Sequence, residues 1–364
     1  MIQTIFIYSF IGLILFTCCY YGRQQKNWSY VVAGLLVYAL IFGLRYGVGR
    51  DYFNYVDNFI AYSRSGATDR VLESGFDFYI KIFTTLGLPQ WLFFGVLAFA
   101  QIFFVFKAFK DERFVWPSLA LVFVLNCEWL SYANIIRQSL AFAFFAYAVS
   151  LAEKKKKYLY CIFILLAVSV HASSVVLLFL YPLIRFKRVF FKKILLEIGL
   201  FLLAVFLGLN DFVQNIMQYL EVLLTSTRYQ SYLYTAYAGH LDRDVNVGLG
   251  YVIGVLINFF LIVKSNEIKK FYKSDKLNFI YDMYFVGALI FYTFFSSRII
   301  QRMALYFYGF AFVIGAFTLY YLSKNKKNLQ YMMLLFLYLL IFVAYMYKMD
   351  VNSVAFRFIW QERM

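Results

Sequence analysis

The sequence is a nearly unbroken series of long apolar stretches, running from residue 2 to residue 347. A helix needs about 20 mostly apolar residues to cross a bilayer, and short polar turns separate most of these stretches. Hydrophobic residues make up 63% of the chain and charged residues 15%, against roughly one half and one quarter in soluble domains. We therefore predict an all-α, polytopic integral membrane bundle of about 10–12 transmembrane segments, which forms one transmembrane domain over residues 1–364.

Positive charge is concentrated in six short loops, each of which follows an odd-numbered apolar stretch. The loops are 22–26, 107–113, 153–157, 185–193, 264–276 and 323–328. Loops of this kind mark the cytoplasmic side of a membrane protein, so a single orientation with both termini outside satisfies all six. The net charge of +16 therefore reflects membrane topology, and we expect no nucleic-acid partner.

The segment 158–184 is predicted to form a short helical hairpin. Its two apolar halves, 158–170 and 172–184, are each too short to span the bilayer. Because both flanks are basic, one continuous helix would place a basic cluster outside. A hairpin that enters and leaves from the cytoplasmic side avoids this and places its tip at His171–Ser174.

Lysine and arginine are sorted between the two sides. Of the 22 Lys and Arg residues in the six basic loops 18 are Lys, whereas 11 of the remaining 13 are Arg. Membrane orientation can be set by either residue, but a phosphate ligand favours the flat, bidentate guanidinium. The outer arginines therefore indicate a phosphate or pyrophosphate site, and salt bridges or lipid headgroup contacts are the alternative. The candidate phosphate-binding residues are Arg45, Arg50, Arg137, Arg298 and Arg302.

The first predicted outer loop, 45–88, has the composition of a site for a phosphorylated sugar. Cations suit the phosphate, a carboxylate suits a hydroxyl, and aromatic rings suit sugar faces; an interfacial turn with an aromatic belt is the alternative. The residues concerned are Arg45, Arg50, Asp51, Tyr52 and Tyr55. Glu73, further along this loop, is either a catalytic base or a helix-capping acid.

Arg137 and Gln138 begin an apolar helix, where a cation is costly and is usually paired or functional. The structural alternative pairs Arg137 with Glu128. His171 and Ser173 lie at the predicted hairpin tip. The histidine there is a structural residue with its hydrogen bonds satisfied, a ligand of a phosphate oxygen or a proton acceptor. Arg298 and Arg302 are four residues apart and so share one helical face.

The second long outer loop, 210–247, is rich in tyrosine and is predicted to be an interfacial lid. Asp242 and Asp244 form a D-x-D pair of the kind that holds a divalent metal in some sugar transferases. Because such short matches arise often by chance, we predict no metal site. The sequence has no Walker loop and no G-x-S-x-G, which disfavours an ATP-driven pump and a conventional hydrolase.

Several motifs, taken in order, resemble the EpsG family of exopolysaccharide and capsule proteins, which are Wzy-like repeat-unit polymerases. The resemblance extends over roughly residues 1–310, and neither the tail 348–364 nor the Asp242 and Asp244 pair contributes to it. The motifs are Arg45-x-x-x-Gly49-x-Asp51-Tyr52-x-x-Tyr55, Glu73-x-Gly75-Phe76, Arg137-Gln138-x-x-Ala141, Ala167-x-x-x-His171-x-Ser173 and a late Arg298 before a tyrosine-containing helix.

The resemblance implies a glycosyltransferase at the outer face of the bacterial cytoplasmic membrane that polymerises oligosaccharide repeats carried on undecaprenyl pyrophosphate. Membrane lipids, and also a chain-length regulator and a flippase, are its expected partners. Fixed arginines can neutralise a departing pyrophosphate without a metal or another cofactor, and the attacking hydroxyl needs a base. Asp51, Glu73 and His171 are the candidates; we favour Asp51 or Glu73, with His171 near the phosphate.

Two other functions fit the same sequence. A flippase or transporter of lipid-linked oligosaccharide would also use cations and a membrane cavity, but it predicts internal repeats, and we find none. A membrane O-acyltransferase that modifies glycans would need a catalytic histidine, for which His171 is available. A scaffold of a polysaccharide synthesis complex would not explain the outer arginines.

Overall fold

The structure, a computed structural model, describes residues 2–68, 72–185, 190–210, 247–295, 298–347 and 354–361, and these are almost entirely helical. The elements are α1 (Ile2–Gln24), α2 (Trp28–Gly43), β1 (Arg45–Tyr46), α3 (Tyr52–Ser65), α4 (Ser74–Thr85), α5 (Gln90–Ala108), α6 (Trp116–Leu125), α7 (Glu128–Asn134), α8 (Ile136–Glu153), α9 (Lys157–Val170), α10 (Tyr181–Arg185), α11 (Ile194–Leu209), α12 (Leu249–Tyr272), α13 (Asp275–Thr293), α14 (Arg298–Tyr308), α15 (Ala311–Lys324), α16 (Asn328–Tyr347) and β2 (Arg357–Phe358), with 3₁₀ helices at Arg113–Val115, Ala172–Leu180 and Ile359–Gln361.

Five helical stretches in the described residues are long and apolar enough to cross a membrane. They are α1, α5, α12, Ile300–Lys324 within α14 and α15, and α16. The pair Arg113–Leu125 and Glu128–Asn134 passes the same test only as one span, bent by 65°. The all-α, multi-pass bundle is therefore confirmed, although several of the predicted segments, such as α2 and α11, are shorter than a full span.

Helix α8 packs against α5, α9, α13 and α14, and it is buried along almost its whole length. Small side chains on it let the neighbouring helices approach closely, as is usual between helices in a bilayer. They include Ala141, Ala143, Ala146, Ala148 and Ala152. The packing of α8 therefore fixes the position of its first turn, which carries Arg137 and Gln138.

Five of the six basic loops contact one another at one end of the bundle, which we call the basic end. The contacts that connect them are Lys154–Asp111, Lys276–Glu112, Lys327–Glu267 and Lys269 to the carbonyl of Phe191. The sixth loop joins them through Arg23, which lies over the ring of Tyr320 in the last turns of α15. The sorting of the lysines that the sequence predicted is thus a real asymmetry of the folded chain.

Three of the basic turns close in the same way, with a lysine in the left-handed region of backbone space. The lysines are Lys26, Lys155 and Lys326, with φ of 52°, 62° and 54°. In each turn the following N–H donates to the carbonyl oxygen five residues earlier, at 2.9–3.0 Å, which is the Schellman closure of a helix. Glycine is the usual residue there, because it adopts positive φ without steric strain. A lysine in this conformation is strained, but it adds a positive charge at the end of the helix.

The segment 158–184 forms the predicted hairpin. Helix α9 ends at Val170, His171 is extended (φ −155°, ψ 105°), and the 3₁₀ helix Ala172–Leu180 runs back beside α9. The Tyr160 hydroxyl, near the start of α9, donates to the Leu177 carbonyl, and the ring centroids of Tyr160 and Tyr181 are 5.1 Å apart. A straight helix would hold these residues a whole helix length apart.

The tail packs beside the chain that leaves α2. Strand β2 pairs antiparallel with β1, with Arg45 opposite Phe358 and Tyr46 opposite Arg357. The Phe356 ring is 2% exposed. The backbone N–H of Phe356 donates to Thr4 Oγ1 at 3.1 Å. A segment that matched no motif in the sequence therefore completes the structure around Arg45.

Candidate functional site

Glu73, Arg137 and His171 meet away from the basic end, in a region that we call the site end. Arg137 Nη1 donates to Glu73 Oε2, and His171 Nδ1 lies 3.2 Å from Glu73 Oε1. The backbone N–H of Ala172 also donates to Oε1, at 3.4 Å. The three side chains are 20–27% exposed, so the cluster is partly buried and still accessible to a ligand.

Close packing between α4 and α9 brings this cluster together. A Cβ on Gly75 would lie 2.8 Å from the carbonyl oxygen of Ser169, so only glycine fits at this contact. Glu73 precedes Gly75 by two residues and His171 follows Ser169 by two. Two short motifs of the sequence therefore pack against each other: Glu73-x-Gly75-Phe76 and the one that contains His171.

The ionisation of Glu73 fixes which nitrogen of His171 carries hydrogen. Burial alone would raise the pKa of Glu73, but the hydrogen bond with His171 and the charge of Arg137 lower it to about 2. An ionised carboxylate only accepts hydrogen bonds, so His171 Nδ1 must donate. In the neutral imidazole Nε2 is then an acceptor, because the ring carries a single N–H.

The loop between β1 and α3 is tied to the end of α7. The backbone N–H of Asp51 donates to Asn134 Oδ1 at 3.0 Å. Gly49 has φ of 94°, and a Cβ there would lie 2.8 Å from the carbonyl oxygen of Ala133. One turn further on, the buried Tyr55 interacts electrostatically with Arg137. The predicted first-loop residues Asp51 and Tyr55 therefore lie next to the Arg137 cluster.

Arg45 and Arg50 have different surroundings. The Arg45 side chain is 2% exposed, donates to the Phe42 carbonyl at 2.6 Å and lies over the Phe94 ring at 4.7 Å. The ring of Tyr52 stacks on the same Phe94. Arg45 and Tyr52 thus anchor the loop between β1 and α3 by packing on Phe94. The side chain of Arg50, by contrast, is exposed.

Helix α14 adds a second wall to the site. The Gln138 amide donates to the backbone carbonyl of Arg302, and Ser173 Oγ is 3.0 Å from the Tyr306 hydroxyl. The Arg302 side chain is exposed, and Arg298 is the first residue of the helix. Tyr306 was not among the predicted site residues, yet a four-residue spacing after Arg298 and Arg302 indicated that it shares their face.

The structural alternative, in which Arg137 pairs with Glu128, is wrong. The partner of Arg137 is Glu73, because α4 packs on the hairpin tip beside the first turn of α8, whereas Glu128 accepts from the Asn126 amide at 2.7 Å. Asp242, Asp244 and the predicted tyrosine lid in 210–247 lie outside the described residues, so the D-x-D pair is not placed.

Together, the bundle and the arginine–glutamate–histidine cluster define a multi-pass membrane protein with a polar site at one end. The chain belongs to the EpsG family, a Wzy-like polymerase family, whose model matches residues 27–359. This match supports a polysaccharide polymerase-like role. Neither the curated proteins nor the solved structures gave a significant match. The family match covers β1 and most of the tail, including both residues of β2.

Proposed function

We propose that the protein polymerises oligosaccharide repeat units that are linked to undecaprenyl pyrophosphate. Each reaction would transfer the growing chain to the next lipid-linked unit, with the lipid pyrophosphate as leaving group. The observation that carries this proposal is the Arg137–Glu73–His171 cluster, since it combines a fixed cation with a histidine whose second ring nitrogen is an acceptor. Exposed Arg302 extends the positive charge along α14.

In this mechanism His171 is the base and Glu73 orients it. An acceptor hydroxyl oxygen attacks the anomeric carbon of the donor while its proton passes to His171 Nε2. The bond between that carbon and the pyrophosphate oxygen breaks, and the oxygen keeps the electron pair. Arg137, which Glu73 holds in place before the reaction begins, stabilises the charge that develops there, and the exposed Arg302 adds a second positive charge. We place His171 as the base in preference to Glu73, which the sequence also offered, because Glu73 is held ionised at a pKa of about 2 and is a weak base.

We further propose that the basic end faces the cytoplasm and the site end faces outward from the cytoplasmic membrane. The lysine-rich loops that meet at the basic end support this orientation. Ser173 at the hairpin tip is exposed, so Ser173→Cys, with the four native cysteines replaced by alanine, should react with a membrane-impermeant thiol reagent added outside intact cells. Reaction only in inverted vesicles would overturn the orientation.

The function is tested by deleting the gene in its host and separating the surface glycan on a gel. We expect the polymer ladder to disappear while single repeats still reach the surface, and a plasmid copy should restore it. Loss of all surface repeats, with lipid-linked intermediates retained inside, would instead indicate a flippase. An unchanged ladder with altered acyl groups would indicate an O-acyltransferase.

A further inference from the structure

The break between α6 and α7 lies deep in the bundle. Helix α6 starts at Trp116, whose indole N–H donates to the carbonyl of Phe109 at the basic end. Ten helical residues cover about 15 Å, roughly half the hydrocarbon thickness of a bilayer. There the chain bends by 65°, and Cys127 adopts φ of 55°. Non-helical backbone at such depth is tolerated where it lines a cavity or is buried in protein.

Two polar side chains beside this break are partly open. Asn126 and Glu128 are both of intermediate exposure, although Cys127 between them is 3% exposed. Helix α6, which ends beside them, packs against α1, α15 and α16. Because other helices surround α6, the partial exposure of Asn126 and Glu128 indicates an internal crevice in the bundle.

Glu128 differs from Glu73 in its partners. Glu73 is paired with Arg137 and His171, whereas in the described part of the chain the hydrogen-bond donor to Glu128 is the Asn126 amide, at 2.7 Å. A carboxylate at this depth is costly and marks a functional site by default. Its oxygens can accept further hydrogen bonds, so the ligand that suits it is an uncharged donor of hydrogen bonds, such as a hydroxyl group.

The crevice is connected to the candidate site by a single short helix. Helix α7 runs from Glu128 to Asn134, whose side chain holds the Asp51 backbone N–H. Its seven residues span about 10 Å. A ligand that extends from the site end along α7 would therefore bring groups remote from its phosphate to Glu128.

We propose that Asn126 and Glu128 form a sugar-binding subsite, which accepts hydrogen bonds from the hydroxyl groups of the oligosaccharide. The inference rests on the proposed polymerase function and adds a specificity-determining contact to it. The subsite selects the repeat unit by its hydroxyl pattern, while the arginines at the site end bind the pyrophosphate that every lipid-linked substrate carries.

Kinetics of the purified protein test this subsite. We expect Glu128→Ala to raise KM for the lipid-linked repeat about tenfold or more, because a hydroxyl group of the bound sugar loses its hydrogen-bond partner, with kcat changed less than KM. Glu128→Gln and Asn126→Ala should have smaller effects in the same direction. The control is Glu267→Gln, which removes a carboxylate that pairs with Lys327 at the basic end, and its KM should be unchanged.

A labelling experiment tests the crevice without activity. Asn126→Cys, with Cys18, Cys19, Cys127 and Cys161 replaced by alanine, should react with a small water-soluble methanethiosulfonate. The free repeat oligosaccharide should slow this reaction, and inorganic pyrophosphate should not. Failure to react, or protection by pyrophosphate alone, would overturn the subsite.

The two proposals fail separately. If Glu128→Ala leaves KM unchanged while Arg137→Ala abolishes polymerisation, the subsite is wrong and the polymerase function stands. If Arg137→Ala and Glu128→Ala both retain the polymer ladder, the proposed function fails as well.

Discussion

At the basic end Lys154 pairs with Asp111 between two loops, and both side chains are largely exposed, at 49% and 66%. At the site end Arg137 and His171 share the carboxylate of Glu73, and all three are 20–27% exposed. The first arrangement joins loops and leaves its charges in water. The second holds an arginine and a histidine on one carboxylate, close enough for a single ligand to contact both.

Ion pairs therefore have different roles at the two ends of the bundle. An exposed pair contributes roughly 0–1 kcal/mol to stability, so Lys154 matters for orientation in the membrane more than for the fold. A partly buried pair is screened less by solvent and can act on substrate charge. Variants at the two ends, Arg137→Ala and Lys154→Ala, test whether the chemistry is confined to the site end.

Arg137→Ala is expected to have the largest effect. Removing one fixed donor to a developing negative charge typically costs about 100- to 1000-fold in rate, so the polymer ladder should vanish while expression and membrane insertion stay normal. The rate of polymer formation by purified protein is the measurement. Lys154→Ala is the matched control at the basic end and should polymerise at the wild-type rate; equal losses in both variants would remove the distinction between the two ends.

His171→Ala should lower kcat about 100-fold or more, within the usual range for loss of a general base. The pH profile of kcat separates this role from a structural one, since the acidic limb that reports a base should disappear. His240→Ala, at the other histidine of the chain, is the control. A variant that keeps the acidic limb would show that another group takes the proton.

Phe356→Ala tests the tail. The ring is 2% exposed, and it packs edge-on against Tyr8 with centroids 5.7 Å apart, so its removal should destabilise the protein by about 3–5 kcal/mol. Thermal unfolding in detergent measures this loss. Because the tail supports β1, polymerisation should fall several-fold at a temperature where the variant is still folded. Trp360→Ala, which removes an exposed ring, should change little.

The smallest expected effect is the loss of folding stability at low pH when Glu73 is protonated. The pKa of Glu73 is lowered to about 2, below that of an ordinary glutamate, so its ionised form stabilises the fold at neutral pH. This contribution should be lost as pH falls from about 4.5 towards 2, and we expect it to be on the order of 1 kcal/mol because the pair is partly exposed. Glu73→Gln should remove the dependence over that window. An identical acid profile for the variant would mean that the pair adds nothing to stability.

The bundle and the hairpin could be predicted because they follow from local patterns. Apolar length gives helices, and the basic flanks of 158–184 require the chain to return to the side from which it entered. The lysine sorting was also visible, since it depends on sequence order and topology alone.

The partners within the site could not be predicted, because they depend on packing between distant segments. Glu128 is closer to Arg137 in the sequence than Glu73 is, but a glycine contact between α4 and α9 brings Glu73 to it. Arg45 looked like a ligand-binding residue of the outer loop, and only the tertiary structure shows its guanidinium buried over Phe94. No local sequence pattern indicated that the tail would pair with β1.

The pairing of β1 with β2 also has a consequence for biosynthesis. Arg45 is translated and inserted long before Phe358, its partner across the two strands, so the loop that carries Asp51 lacks its neighbouring strand during most of translation. The site end can reach its final shape only after the last helix has crossed the membrane and the tail has arrived beside α1. A ribosome that stalls before residue 354 would therefore leave a chain that is inserted in the membrane and not yet organised for its reaction.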